Sequence, residues 1–108
     1  MKGAMKTSKT QNAAIFKAFC DENRLGILEL LRSGEKCACV LAERMEIGQS
    51  ALSYHMKILV SSGIVIARQE GKWTYYRISA EGSAHAAELL NKITTPDAVQ
   101  EKPTRCKD

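Results

Sequence analysis

The sequence lacks long apolar runs and has few cysteines. No stretch approaches the roughly 20 consecutive apolar residues that a membrane span requires. The polar start MKGAMKTSKTQN has no signal-peptide segment, so we expect a cytoplasmic protein with no membrane partner. The four cysteines are too few and too unevenly spaced for a secreted disulfide scaffold, so we expect them to be packed, reactive or metal-binding.

The signatures of an enzyme are also missing. The sequence contains no Cys-x-x-Cys motif, no glycine-rich cofactor loop and no cluster of acid–base residues. We therefore expect neither catalysis nor an organic cofactor. Hydrophobic residues make up 44% and charged residues 26% of the chain, which is typical of a globular protein, and 108 residues allow one domain with a modest core. The net charge of +4 is compatible with a nucleic-acid partner.

Hydrophobic periodicity predicts one domain between two polar segments. Residues 1–11 are predicted to form a flexible N-terminal arm, and residues 94–108 a flexible C-terminal tail. Between them, residues 12–93 show four helical patterns, a β-hairpin around QEGK and a last helix. This mainly α order with a β-hairpin wing is that of a winged helix-turn-helix domain. Apolar surface on the outer helices predicts a homodimer through the terminal helices.

The second helix of the predicted helix-turn-helix pair, at about residues 50–61, has a face without carboxylates. A solvated face usually mixes Glu with Lys, so this composition predicts approach to an anion, and such helices enter the major groove of DNA. Arg68 and Lys72 of the hairpin are expected to follow phosphates. The alternative for His55 is a half-buried position beside Tyr54, and the alternative for the whole face is a protein partner. The predicted DNA-binding residues are Gln49, Ser50, Ser53, Tyr54, His55, Lys57, Arg68 and Lys72.

Two cysteines, Cys37 and Cys39, lie at the predicted start of the first helix of this pair. Residues i and i+2 of a helix point about 200° apart, so we expect both thiolates to bind one ion only if the first turn bends or unwinds. The helix N-terminus and Lys36 favour a thiolate at Cys37, whereas Glu35 opposes it. Soft thiolates select soft ions. These residues alone leave inert packing, a redox switch and a soft-metal site open.

Several motifs together resemble the ArsR/SmtB family of metalloregulatory repressors. The resemblance rests on GQSALSYHMKILVSSGIV, RQEGKWTYYRIS and KCACVL. It implies a homodimeric repressor that binds double-stranded operator DNA and dissociates when a metal or metalloid binds. The arsenic- and cadmium-responsive branches place a Cys-x-Cys pair at this position. The resemblance therefore implies Cys37 and Cys39 as ligands and As(III) or Sb(III) as the inducer.

The third ligand is open, because the arsenic-sensing pattern has a further cysteine where this chain has Ala42. Cys106 is a candidate, since 12 flexible residues reach roughly 20 Å. Cys20 is expected to be a buried packing residue, and His85 with Glu88 are too few ligands for zinc. The alternatives are a repressor that senses cadmium, lead or zinc and a thiol redox-responsive repressor.

Overall fold

The computed structural model describes residues 2–104, with side chains from residue 9 onward. Within that range, five helices and three strands follow the predicted winged helix-turn-helix order, so the predicted fold is confirmed. The elements are α1 (Lys2–Lys17), α2 (Glu22–Leu31), β1 (Lys36–Cys37), α3 (Ala38–Met45), α4 (Gln49–Ser61), β2 (Val65–Glu70), β3 (Trp73–Ile78) and α5 (Ala80–Thr94).

Two elements differ from the sequence-based expectation. Helix α1 begins at Lys2, so residues of the predicted arm lie in a helix. Lysine, alanine, methionine and glutamine favour helix in this stretch, and no proline interrupts it. Strand β1 has only two residues, which is too short for a periodic pattern, and it exists because it pairs with β3. The division of the chain at residues 12 and 93 stays a prediction.

Helices α2, α3 and α4 pack around one core that β2 closes. Leu52, Met56, Leu59 and Val60 form an apolar stripe on α4, of which the first three are buried in this core and Val60 is 37% exposed. Burial of each such side chain stabilises the fold by about 1.5–3 kcal/mol. Glu46, in the left-handed conformation at φ 57°, ends α3 and turns the chain into α4. The largest fully buried side chains are Ile27, Leu41, Leu52, Met56, Leu59 and Val65.

The three strands form one antiparallel sheet in the order β1-β3-β2. Strands β2 and β3 make a hairpin, which turns at Gly71 with φ 63°, a conformation that favours glycine. Val65 is the buried residue of β2 and the rest of that strand is exposed, whereas Tyr76 and Ile78 of β3 are partly buried against the core. We call residues 65–78 the wing. No helix in the described part of the chain is both long and apolar enough to cross a bilayer.

Candidate thiol site and nucleic-acid interface

Cys37 and Cys39, which we call the thiol pair, lie where β1 meets α3. Cys37 is the last residue of β1 and the N-cap of α3, and its backbone is extended (φ −70°, ψ 147°). Cys39 is the second residue of the helix. The two Sγ atoms are 3.1 Å apart. The expected 200° divergence does not occur, because Cys37 stands outside the helix, and no unwinding is needed to bring the sulfurs together.

The two thiols differ in acidity. The thiol of Cys39 lowers the pKa of Cys37 by hydrogen bonding to its sulfur, and the backbone N–H groups of Cys39, Val40 and Ala38 at the start of α3 lower it further. The same thiol hydrogen bond raises the pKa of Cys39, as do its partial burial and the charge on Cys37. The pair therefore favours one thiolate that accepts a hydrogen bond from one thiol. A thiolate is both the nucleophile and the metal ligand.

An ion pair balances the acidic residue beside the thiol pair. Arg68 on β2 donates from Nε and Nη2 to the Glu35 carboxylate, at 3.1 and 2.8 Å. Its Nη1 donates to Glu70 at 2.7 Å. The hydrogen bonds from Arg68 lower the pKa of Glu35, and those from Glu35 and Glu70 raise the pKa of Arg68. Glu35 thus opposes a thiolate at Cys37 less than the sequence alone suggests.

The same ion pair engages Arg68, whose predicted contact with DNA phosphates stays a prediction. All three guanidinium nitrogens bond to carboxylates, and the group lies 4.6 Å from the centre of the Tyr75 ring. Lys72 is in a different position, exposed beside the turn of the wing with its Nζ 5.5 Å from the Trp73 ring. Lys72 therefore remains a candidate for phosphate contact, and exposed Arg77 on β3 adds a second cation.

Other donors are not gathered around the thiol pair. Within residues 9–104, no group of three or more His, Cys, Asp or Glu side chains is placed to hold a metal ion. Cys106, the candidate third ligand, lies outside the described residues. Cys20 is exposed rather than buried, and its Sγ donates to the carbonyl oxygen of Phe16 at 3.4 Å. The described part of the chain therefore offers a two-sulfur site.

Helix α4 presents most of the predicted DNA-binding residues to solvent. Its buried stripe packs on α2 and α3, so the carboxylate-free face points outward. No side chain caps the helix at Gly48, which leaves first-turn N–H groups available to an anion. The exposed members of the predicted set are Gln49, Ser50, Ser53, Tyr54 and Lys57.

His55 is an exception because it is buried, and its predicted contact with DNA stays a prediction. Its side chain is buried (7% exposed), and Nδ1 lies 3.0 Å from Nη1 of Arg24. Because arginine always donates, Nδ1 accepts this hydrogen bond and the ring proton of the neutral form is assigned to Nε2. Asp21 lies 3.9 Å from the same nitrogen. His55 therefore connects α4 to α2 through the side chain of Arg24.

Arg24 is the residue that sequence reasoning missed. It is only 5% exposed, and its remaining nitrogens donate to the carbonyl oxygens of Ala18 and Lys17, at 3.0 and 3.1 Å. The buried guanidinium of Arg24 thereby connects the end of α1 to α4. The available signal was its spacing, because Arg24 lies three and seven residues before the buried Ile27 and Leu31 on one face of α2.

Comparison with known proteins agrees with this architecture. The profile of the family described as "Bacterial regulatory protein, arsR family" matches residues 21–67. The chain is 39% identical over 79 residues to an arsenical resistance operon repressor of Escherichia coli K12, covering 72% of this chain and 68% of the relative. It is 39% identical over 85 residues to an arsenical resistance operon repressor of Staphylococcus xylosus, covering 79% and 82%. A CadC homolog of Staphylococcus aureus, a cadmium resistance transcriptional regulatory protein, is 34% identical over 92 residues, covering 84% and 74%.

Solved structures share the fold. One is the solution structure of the homodimeric winged helix-turn-helix DNA-binding domain of a possible ArsR-family regulator from Mycobacterium bovis. Its TM-score is 0.67 at 32% identity, and the match covers 82% of each chain. Reduced HlyU from Vibrio cholerae gives a TM-score of 0.62 at 33% identity, covering 85% of this chain and 97% of HlyU.

Proposed function

This chain belongs to the arsR family of bacterial regulatory proteins, and from that premise we propose that it represses transcription as a homodimer until trivalent arsenic or antimony binds the thiol pair. The family consists of DNA-binding transcriptional regulators. The prediction that the chain is not an enzyme is thereby confirmed. What remains to be established is the inducer, the residues that bind it and the residues that read DNA.

The convergence of the two sulfurs is the observation on which the proposed inducer rests. Cys37 and Cys39 approach to 3.1 Å while remaining accessible from solvent, and Cys37 is the more acidic thiol. Two sulfurs at one point suit a soft, sulfur-binding ion and do not suit Mg²⁺ or Ca²⁺, which take oxygen ligands. The similarity to arsenical resistance repressors supports arsenic within the soft class.

The proposed DNA complex uses α4 and the wing. Gln49, Ser50, Ser53 and Tyr54 would contact base edges and phosphates in the major groove, and Lys57 would contact a phosphate. Lys72 and Arg77 would follow the backbone beside the groove, where the wing of such domains lies. A dimer would place two α4 helices on half-sites about one helical turn apart.

The test is an arsenite titration of a fluorescent operator complex under reducing conditions, with the operator selected from a random duplex pool. Cys37→Ser and Cys39→Ser should each retain operator affinity, because serine is similar in size and helix α3 forms without a thiol. Each should lose release by arsenite, because one remaining thiolate holds the ion poorly against competing thiols. Cys20→Ser is the matched control and should be released normally.

The same titration decides the third ligand and the fate of the proposal. Loss of release in Cys106→Ser would make the tail the third ligand, whereas normal release would mean that two protein sulfurs suffice. Normal dissociation of a Cys37→Ser, Cys39→Ser double variant would contradict the proposed inducer site.

A second inducer class uses the same sulfurs. The similarity to a CadC homolog favours a test of cadmium, with lead and zinc alongside it. Titrating each ion against the same complex ranks the inducers by the concentration that releases half of the DNA. Arsenite should act at the lowest concentration, and a lower value for cadmium would reassign the inducer.

The close approach of the sulfurs also favours a redox alternative. A thiolate 3.1 Å from a thiol is placed to form a disulfide with an added two-electron oxidant, which would take two electrons from the pair while the one thiol proton is lost to solvent. Release by such an oxidant without metal, reversed by a reductant, would support this reading. Release by arsenite in excess reductant supports the metalloid proposal.

A further inference from the structure

The thiol pair belongs to the same sheet as the wing. Cys37 pairs with Tyr75 across the β1–β3 ladder, and Tyr75 pairs with Arg68 across the β2–β3 ladder. One cysteine of the pair is thus on a strand that is hydrogen-bonded to the hairpin, whereas the other is on α3. An ion that binds both sulfurs would join the edge of this sheet to the first turn of the helix.

A second connection runs through side chains. Glu35, two residues before Cys37, holds the guanidinium of Arg68 in the middle of β2 with two parallel hydrogen bonds. Arg68 also lies over the Tyr75 ring. An exposed pair of this kind contributes little to stability, but its two-point geometry restricts orientation. The pair therefore gives the segment before Cys37 an oriented connection to β2, in addition to the ladder between β1 and β3.

The two neighbours of the thiol pair differ in how readily they can move. Helix α3 buries Leu41 and Ala42 in the core that also contains Leu52 and Met56 of α4. Close-packed side chains of this kind resist displacement. The segment on the other side consists of exposed Glu35, a two-residue strand and a hairpin whose β2 is exposed beyond Val65 and whose Tyr76 and Ile78 are only partly buried. A change of geometry at the sulfurs should therefore be taken up by the wing.

We propose that ligand binding at the thiol pair displaces the wing from DNA, and that the Glu35–Arg68 ion pair transmits the movement from β1 to β2. This inference rests on the proposed function. Arsenous acid exchanges two hydroxyl groups for two sulfurs. One hydroxyl leaves as water with the proton of the thiol, and the hydroxyl displaced by the thiolate leaves as water with a proton from solvent. The sulfurs then adopt the bond angle of the ion. Displacement of the wing withdraws Lys72 and Arg77 from the phosphates.

The single tryptophan, Trp73, begins β3 and is half-exposed, so its emission reports on the wing. The reduced full chain without DNA is titrated with sodium arsenite, and sulfur–arsenic bond formation is followed by near-ultraviolet absorbance alongside Trp73 emission. Glu35→Gln removes the carboxylate that connects Arg68 to β1. Glu70→Gln is the matched control, because it removes the other carboxylate on Arg68 and leaves that connection intact.

We expect arsenite to bind all three proteins with similar absorbance titrations. The arsenite-induced emission change should persist in Glu70→Gln and largely disappear in Glu35→Gln. Direct quenching by the bound ion would persist in Glu35→Gln, so the two causes are separable. The ratio of operator Kd values with and without arsenite should fall by at least about fivefold in Glu35→Gln and stay near the wild-type ratio in Glu70→Gln.

An unchanged Kd ratio in Glu35→Gln would overturn the inference. The inference would also be overturned if arsenite left Trp73 emission unchanged in the wild-type protein but changed the emission of a Trp73→Phe, Tyr54→Trp variant. The conformational change would then reach α4 instead of the wing. Either result leaves the proposed inducer site intact. If arsenite fails to bind the wild-type thiol pair, the proposed function fails, and this inference fails with it.

Discussion

At the scale of single residues, the placement of Cys37 at the N-cap decides the chemistry of the thiol pair. Inside a regular helix, the two sulfurs would point to opposite sides. The extended backbone of Cys37 brings its sulfur beside both the Cys39 thiol and the first N–H groups of α3. The N-cap position of Cys37 therefore explains both the close approach of the two sulfurs and the lowered pKa of the Cys37 thiol.

The first prediction concerns thiol reactivity. Because its pKa is lowered and that of Cys39 is raised, Cys37 should carry more thiolate at pH 7 and react several-fold faster with iodoacetamide. Cys39→Ala should slow Cys37 alkylation at pH 7, because it removes the hydrogen-bond donor that stabilises the thiolate. Cys39→Ser keeps an O–H donor and should slow it less. Peptide mass spectrometry gives the rate at each site, and faster alkylation of Cys39 than of Cys37 would contradict the assignment.

The second prediction concerns His55. His55→Ala should lower the free energy of unfolding by about 2–3 kcal/mol, because it leaves Nη1 of buried Arg24 without its acceptor. His55→Gln can restore an acceptor and should recover part of this loss. Lys57→Ala, on the exposed face of the same helix, should change stability by less than about 0.5 kcal/mol. Urea unfolding at one protein concentration measures all three. An unchanged free energy of unfolding in His55→Ala would contradict the role of His55 as the acceptor for Arg24.

At the scale of elements, one side of α4 is buried in the protein and the other side is exposed to solvent. Leu52, Met56, Leu59 and His55 hold one side of the helix in the protein, which leaves the other side rigidly presented. The wing is attached differently, through its ladder to β1 and the Glu35–Arg68 ion pair. Helix α4 buries more of its surface than the wing, whose contacts with the core are at Val65, Tyr76 and Ile78, so we expect a ligand to move the wing more readily than α4.

The third prediction tests the division of labour on α4. Lys57→Ala should weaken binding to operator and random duplex alike and reduce the slope of log Kd against log salt by about 1, because it removes one phosphate contact. Ser53→Ala should chiefly reduce the ratio of operator to random affinity, by about 1–3 kcal/mol if it removes a base contact. Fluorescence anisotropy at several salt concentrations measures both effects. Identical patterns for the two variants would show that the residues do not have separate roles.

At the scale of the whole molecule, apolar surface remains on the terminal helices. Leu90 and Ile93 of α5 are 50% and 57% exposed in the single chain. Phe16 of α1 and Phe19, just after that helix, border the same apolar groove as Leu90. A second copy of the chain would cover this surface, in agreement with the homodimeric winged helix-turn-helix domain of similar fold.

The fourth prediction follows from that surface. A Leu90→Asp, Ile93→Asp double variant should be monomeric by sedimentation equilibrium, because burying two carboxylates in an apolar interface is unfavourable. Its operator affinity should fall by at least about 100-fold, because a monomer engages one half-site and loses the avidity of the dimer. Val99→Asp is the control, since Val99 lies beyond α5 and is 86% exposed. A dimeric double variant would place the interface elsewhere.

The sequence by itself determined the order of elements, the apolar stripe of α4 and the position of the thiol pair. These features depend on residues within one or two turns of each other, where periodicity and capping operate. The motifs that resemble the ArsR/SmtB family are also short segments, so the sequence alone was enough to recognise them. The two-residue β1 escaped prediction, since its existence depends on Tyr75 and Tyr76 of β3.

Only the tertiary structure decided which polar side chains have a hydrogen-bond partner elsewhere in the chain. Arg24 meets His55 across 31 positions and Glu35 meets Arg68 across 33, and no local pattern registers either contact. His55 and Arg68 were both predicted to contact DNA, with a half-buried position beside Tyr54 as the alternative for His55. Folding placed a hydrogen-bond partner beside each of them, because a buried or closely paired polar group must be satisfied by whatever the packed chain brings next to it.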